Sequence, residues 1–289
     1  MTTILRTTLT AAALVAAGAA LAQETPEGNR VEINGMQMYY EVSGTGDPMI
    51  VLHGGFMNIP MMGDIVGQLA QTHQVYALEA QGHGRTTDID RPITYPNLAG
   101  DVAAFMEVVG IEKADVFGYS MGAMTGLRLA IDFPEKVDQL VFTSGAYDYE
   151  GWQPAFQEAI PQWNLEMFTS SPFAEDYKVL AADPEGFPAM AEKVIELEKL
   201  KFAWGEEVAA LETPVLIIAG DSDGMTLEHS VDMFRLLGGG VMGDTGEPLP
   251  ASRLAILPAS SHTAVINQPD LLMEFIGPFL AGETPKTGF

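Results

Sequence analysis

The stretch Gly118-Tyr119-Ser120-Met121-Gly122 constrains the fold more than any other, because of what flanks it. An apolar run, Ala114 to Gly118, enters it, and a helical pattern, Ser120 to Asp132, leaves it. A glycine on each side of the serine lets a strand turn sharply into a helix where a Cβ would clash. Ser120 then projects from a strained elbow above the edge of a sheet.

The rest of the chain repeats the strand-to-helix pattern. Val31 to Tyr40 reads as a hairpin around Asn34-Gly35, a strong turn signal between two alternating strands. Short β-branched apolar runs follow at Met49 to His53, Gln74 to Ala80, Gln139 to Ser144, Pro214 to Ala219 and Arg253 to Leu257. Such runs suit strands buried on both faces. Between them Met61 to Gln71, Tyr95 to Val109, Leu227 to Leu237 and Asp270 to Leu280 read as helices. The fold class expected is α/β, a mostly parallel sheet with helices on both faces and its ligand site at the carboxyl ends of the strands.

One block breaks the alternation. Residues 148–211 hold no strand pattern but carry Trp152, Trp163 and Trp204, all three tryptophans of the protein, with many phenylalanines. This block is expected to be a helical cap inserted into a core formed by residues 23–147 and 212–289. Its aromatics seal cap against core, and some of them roof a pocket. Gly238 to Pro250 reads as a surface loop.

Residues 1–22 stand apart from that core. Arg6 is their only charge, an apolar stretch of small residues follows, and Ala20-Leu21-Ala22 fits a cleavage site, so they read as a signal peptide. The apolar stretch falls short of the ~20 residues a membrane span needs. The mature chain is expected to begin at Gln23 and to be periplasmic or secreted, with no membrane association after cleavage. There is no cysteine, hence no disulfide, thiol nucleophile or thiolate metal site. The formal net charge is −25, and losing Arg6 makes it more negative still. Nucleic acid is therefore excluded as a partner. The charges are scattered, which suits solubility better than a binding patch.

A serine hydroxyl attacks only when a base removes its proton and an acid holds that base. Of five histidines, His262 alone follows the last strand at its carboxyl end. His73 sits at the wrong end of a strand and His229 on a helix. His53 and His83 lie upstream in glycine-flanked turns, and His53 reads as a loop organiser. For the acid, Asp223 after the Pro214 to Ala219 strand is preferred, with Asp221 and Asp148 as alternatives. The oxyanion donors expected are the Met121 amide and one from Leu52-His53-Gly54-Gly55-Phe56, Gly55 first and Phe56 next. Tyr119, Tyr147, Trp152, Trp163, Phe168 and Trp204 are candidates for the pocket wall.

LHGGF at Leu52 to Phe56, GHGR at Gly82 to Arg85, GYSMG at Gly118 to Gly122, GDSDG at Gly220 to Gly224 and the late His262 together resemble the α/β-hydrolase superfamily. The similarity runs from Val31 onward. It implies an eight-stranded core, a nucleophile-acid-histidine order of Ser120, Asp223 and His262, and a cap that sets specificity. Two departures touch the subfamily: Glu79-Ala80-Gln81 stands where many relatives carry Asp and Arg, and Ser260-Ser261 precedes His262 where glycine is common. Serine at the elbow disfavours members with an aspartate nucleophile, such as epoxide hydrolases and haloalkane dehalogenases.

The function expected is acyl transfer to water on a neutral or cationic, fairly apolar ester or lactone, with no cofactor and no metal. An amidase or peptidase, a C–C hydrolase and a perhydrolase use the same groups, and superfamily membership does not separate them. A non-catalytic ligand-binding protein is the alternative from another class. The sequence leaves the oligomeric state open.

Overall fold

The computed structural model describes residues 27–181, 183–245 and 248–284. The leader and its cleavage site lie outside the described residues. Eight strands form one sheet: β1 (Glu27–Ile33), β2 (Met36–Ser43), β3 (Asp47–Leu52), β4 (His73–Leu78), β5 (Ala114–Tyr119), β6 (Val137–Thr143), β7 (Val215–Ser222) and β8 (Arg253–Ser261). Their spatial order is β1-β2-β4-β3-β5-β6-β7-β8. The β1–β2 and β2–β4 pairs are antiparallel and every later pair is parallel. Asn34 and Gly35 turn the first hairpin with φ of 49° and 88°, the left-handed pair that a tight two-residue turn requires.

The central strands are apolar throughout because both faces of the sheet are covered. Successive side chains of a strand point to opposite faces. Ile50, Leu52, Val116, Leu140 and Ile217 therefore join one core cluster, and Met49, Val51, Phe117, Val141 and Ile218 join the other. Each such side chain, fully withdrawn from water, stabilises the fold by about 1.5–3 kcal/mol.

Between strands run α1 (Ile65–Leu69), α2 (Tyr95–Val109) and α3 (Met121–Asp132). Thr94 starts α2 by accepting the Asn97 amide at 3.3 Å, and Gly110 ends it in the left-handed conformation. The single helix expected over Met61 to Gln71 is instead a 3₁₀ turn at Pro60–Met62 and the short α1. Gly63, with φ of 62°, breaks it. After β7 come α9 (Leu227–Leu236), α10 (His262–Ile266) and α11 (Pro269–Leu280).

Among the described residues no strand interrupts the chain between β6 and β7. That interval carries α4 (Pro154–Ala159), α5 (Leu165–Thr169), α6 (Pro172–Leu180), α7 (Phe187–Lys199) and α8 (Gly205–Ala209). On α7, Phe187, Ala191 and Val194 are buried, and their spacing puts them on one helix face. Isolated bridges Asp148–Ala203 and Trp152–Met225 tie the insertion to itself and to the loop after β7.

Candidate active site

Three side chains from three strand ends meet above the sheet. Ser120, between β5 and α3, has φ 55° and ψ −121°, a conformation that costs about 1–3 kcal/mol. The surrounding structure holds it there. Its amide donates to the Thr143 carbonyl at 2.9 Å, and its carbonyl accepts the Met124 amide at 3.1 Å. The glycines on either side are sites of close approach: a Cβ on Gly122 would lie 2.2 Å from the Leu52 carbonyl oxygen, and one on Gly118 2.3 Å from the Gly122 oxygen. Neither obstacle is a flexible side chain. Gly122→Ala is accordingly expected to cost at least 3 kcal/mol, roughly the top of the usual range for a single substitution, measured as a fall in the urea midpoint.

His262 begins α10 directly after β8. Its Nε2 lies 3.0 Å from Ser120 Oγ, and its Nδ1 lies 2.7 Å from Asp223 Oδ1. Asp223 is buried, and its second oxygen accepts the Ser144 hydroxyl at 2.7 Å and the Gly220 amide at 3.1 Å. Burial pushes this carboxyl up, but the His262 ring, the Ser144 hydroxyl and the Gly220 amide outweigh it and hold the carboxyl below its usual range. The other two acids considered lie elsewhere in hydrogen-bond terms. Exposed Asp221 accepts the Ala259 and Ser260 amides at 2.8 and 3.2 Å, fastening β7 to the turn that carries His262. Asp148 accepts the Glu150 amide at 2.9 Å and caps a 3₁₀ turn.

The loop after β3 supplies amides opposite the elbow. Among the described residues neither the Gly55 amide nor the Met121 amide donates to a protein acceptor. The expectation for Phe56 needs correction: its amide points at His83 Nε2, 3.3 Å away, and is already engaged. Phe56 has φ of 62°, so the loop reverses there and separates the two amides. His53 Nε2 likewise accepts the Ala80 amide at 3.1 Å. Each ring therefore carries its proton on Nδ1, donating to the Gly54 carbonyl (2.7 Å) and the Gln81 carbonyl (2.9 Å). Burial pushes both histidines down, His83 to about 3, so both stay neutral and hold the loop as fixed acceptors.

The family model for the alpha/beta hydrolase fold matches residues 47–268. The chain belongs to that family. A pimeloyl-[acyl-carrier protein] methyl ester esterase of Nitrosomonas europaea is 23% identical over 81% of this chain and 95% of its own. A 3-oxoadipate enol-lactonase of Acinetobacter baylyi is 26% identical over 58% of this chain and 68% of its own. The crystal structure of the enol-lactonase from Burkholderia xenovorans superposes with a TM-score of 0.66 at 20% identity, covering 88% of this chain and all of that one.

In this hydrolase the Glu79 found where relatives carry Asp has a defined place. It is fully buried, it accepts Arg85 through both oxygens, and it also accepts the Ile59 amide at 3.3 Å. Arg85 reaches on to Glu41 at 2.9 Å and lies 3.7 Å from the centre of the Tyr39 ring. Glu79→Ala would leave this partly buried guanidinium with Glu41 alone and strip the Ile59 amide of its acceptor, and an expected loss of about 3 kcal/mol follows, read from chemical denaturation.

The expected pocket wall divides into two groups. Trp152, Phe156, Trp163 and Phe168 make successive ring contacts at 5.2, 5.5 and 5.4 Å, and Phe168 stacks on Phe56 at 4.5 Å. This strip runs from Gly224, beside the acid, to the loop beside the elbow. Beside Phe156 an open cleft of about 360 Å³ is lined also by Gln153, Asp223 and His262. Three aromatics lie elsewhere. Tyr119 points to the opposite face of the sheet, where its hydroxyl donates to the His262 carbonyl at 2.9 Å. Tyr147 stacks on the His229 ring at 4.2 Å. Trp204 is buried between Tyr95 and Phe202. All three anchor the site's supports.

Sequence reasoning missed Ser144 and Glu198. Ser144 follows β6 with φ of 53° and gives its hydroxyl to Asp223. Glu198 continues the Phe187–Ala191–Val194 stripe of α7 inward, and a carboxylate at the end of an apolar stripe is the signal that could have found it. Among the described residues no group of three or more His, Asp and Glu is placed to hold a metal ion. No helix there is long and apolar enough to cross a membrane.

Proposed function

We propose that this chain is an exported serine hydrolase that cleaves a carboxylic ester or lactone through an acyl-enzyme. The observation carrying this reading is the unbroken hydrogen-bonded run from Ser120 Oγ through His262 to Asp223, at 3.0 and 2.7 Å. His262 Nε2 takes the hydroxyl proton as Ser120 Oγ attacks the carbonyl carbon. The Gly55 and Met121 amides receive the oxyanion that forms. As the tetrahedral adduct collapses, the bond to the alcohol oxygen breaks and His262 returns the proton to that oxygen. In a lactone the alcohol stays tethered to the acyl group. Water then attacks the acyl-enzyme, giving its proton to His262, which hands it back to Ser120 as the acid leaves. Asp223 keeps the imidazole in the tautomer that leaves Nε2 free to accept.

The ester and lactone chemistry in the names of the Nitrosomonas, Acinetobacter and Burkholderia proteins supports this substrate class. The aromatic strip supports an apolar acyl or aryl group. Export rests on the leader pattern of residues 1–22 and is tested by sequencing the amino terminus of protein recovered outside the cytoplasm, with Gln23 expected first.

The direct test treats mature protein with a fluorophosphonate, maps the labelled peptide, and measures turnover of p-nitrophenyl esters of increasing acyl length. Label on Ser120 with ester turnover is expected. A folded protein that is neither labelled nor active would overturn the reading in favour of a ligand-binding protein. Phe168→Ala, which removes the ring stacked on Phe56, is expected to lower kcat/KM for long acyl chains by about tenfold more than for acetate.

A further inference from the structure

The mechanism above does not use Glu198, yet this side chain reaches from the helical insertion to the loop that carries the Gly55 amide. It sits four residues after Val194 on α7, so the two side chains share one helix face. Both approach the loop after β3. Val194 Cγ1 and Glu198 Oε1 lie 3.3 and 3.8 Å from where a Cβ on Gly55 would stand. The carboxyl therefore faces the glycine whose amide is assigned to the oxyanion.

Among the described residues no lysine or arginine forms an ion pair with Glu198, and its neighbour Lys199 is paired with Glu196 at 2.9 Å. The ionisable groups that act on it from other elements are Tyr95 at the start of α2 and His262 at the start of α10. Tyr95 is buried and holds its proton well above the ordinary tyrosine range. Burial pushes Glu198 up to about 7, against the opposing pull of His262. A carboxylate beside a site where negative charge develops works against catalysis, unless the substrate brings a group that answers it.

We propose that Glu198 is the charge selector of this active site: it receives an ammonium group of the substrate near the scissile carbonyl and turns away substrates carrying a carboxylate there. This rests on the ester or lactone hydrolase reading. It narrows that reading to cationic esters and lactones. The Glu198 carboxyl reaches the loop after β3 at Gly55, and the neighbouring Phe56 carries the stacked Phe168 ring of the aromatic strip, whose faces also favour a cation. A unit charge about 10 Å away at an effective dielectric near 20 changes relative rates by roughly tenfold. Carboxylate substrates lose by the same factor that ammonium substrates gain.

The test uses three p-nitrophenyl esters whose acyl chains end in trimethylammonium, in its neutral tert-butyl isostere, or in carboxylate. The same three ends are also placed on the alcohol side of an acetate ester. Above pH 8 the wild-type enzyme is expected to favour the cationic over the anionic ester in kcat/KM by on the order of a hundredfold in at least one series. Below pH 6, with Glu198 protonated, that preference is expected to shrink by about tenfold or more. Glu198→Gln is expected to show the shrunken preference at every pH. Rates for the neutral isostere serve as the denominator, which removes every pH effect common to the three substrates. Fluorophosphonate labelling of Ser120 checks that the variant is assembled. A wild-type preference that ignores pH from 6 to 8, or one that survives in a labelled Glu198→Gln enzyme, would overturn the proposal. Absence of label and turnover in the wild type would instead overturn the hydrolase reading on which it stands.

Discussion

Ser120→Ala is expected to lower kcat for a p-nitrophenyl ester by about a millionfold, with a chemical unfolding midpoint at or above that of the wild type. Both halves follow from the elbow. Among the described residues the Ser120 hydroxyl has one hydrogen-bond partner, His262 Nε2, which faces the cleft and can turn to water when the oxygen is gone. No buried donor or acceptor is stranded. Alanine keeps the Cβ, so the backbone at φ 55° is no more relaxed than before and the loop geometry persists. What remains under the proposed mechanism is the pair of amides and the aromatic wall, which would bind and polarise a carbonyl without attacking it. His262→Ala should fall nearly as far. The double variant should be hardly worse than either single one, because serine and histidine act as a unit. Residual turnover within tenfold of wild type in Ser120→Ala would mean that another group is the nucleophile.

The elbow and the sheet were legible because their signals are local. Strand, glycine, serine, glycine and helix follow one another within a few residues, and the steric reason for each glycine lies in the backbone next to it. The same holds for the Asn34-Gly35 hairpin and for α2, bounded by Thr94 and Gly110. Where the determinant is a contact between distant segments, the sequence carried less. Nothing near Phe56 announces that its amide is taken by His83, 27 residues on. Ser144 looks like any small residue ending a strand until Asp223 folds over it. Tyr119 illustrates the hazard of a good local position: it adjoins the serine, but the alternation of β5 sends its ring to the far face. Trp204 and Tyr147 were placed by composition alone, and packing sends both to the anchorage of the insertion. Glu198 needs the packing of α7 against the loop after β3 before its place has any meaning.

The choice between Asp223 and Asp221 turns on the direction in which each carboxylate accepts, and it carries the second large effect. Asp223→Asn is expected to lower kcat/KM by about ten-thousandfold, and Asp221→Asn by no more than about tenfold. Asp223 accepts on both oxygens: His262 Nδ1 and the Gly224 amide at Oδ1, at 2.7 and 2.6 Å, and Ser144 and the Gly220 amide at Oδ2. An asparagine there must aim its NH₂ at one of those positions, and each already holds a backbone N–H. With the NH₂ toward His262, the imidazole is driven to keep its proton on Nε2, where it can no longer take one from Ser120. With the NH₂ toward Ser144, two donors meet at Gly220 and the side chain is displaced from the ring. The variant therefore loses the tautomer or the alignment, whichever way the amide turns. Asp221 is exposed, and asparagine keeps one of the oxygens that receive the Ala259 and Ser260 amides. Its replacement loosens the turn before His262 without touching the ring. The two variants also differ in acid. Because the folded Asp223 carboxyl is held below its usual range, its contribution to stability is present above about pH 4 and is lost as pH falls through the folded value. Asp223→Asn should remove that part of the acid dependence of unfolding. If Asp221→Asn is the more damaging of the two at neutral pH, the acid of this enzyme is Asp221.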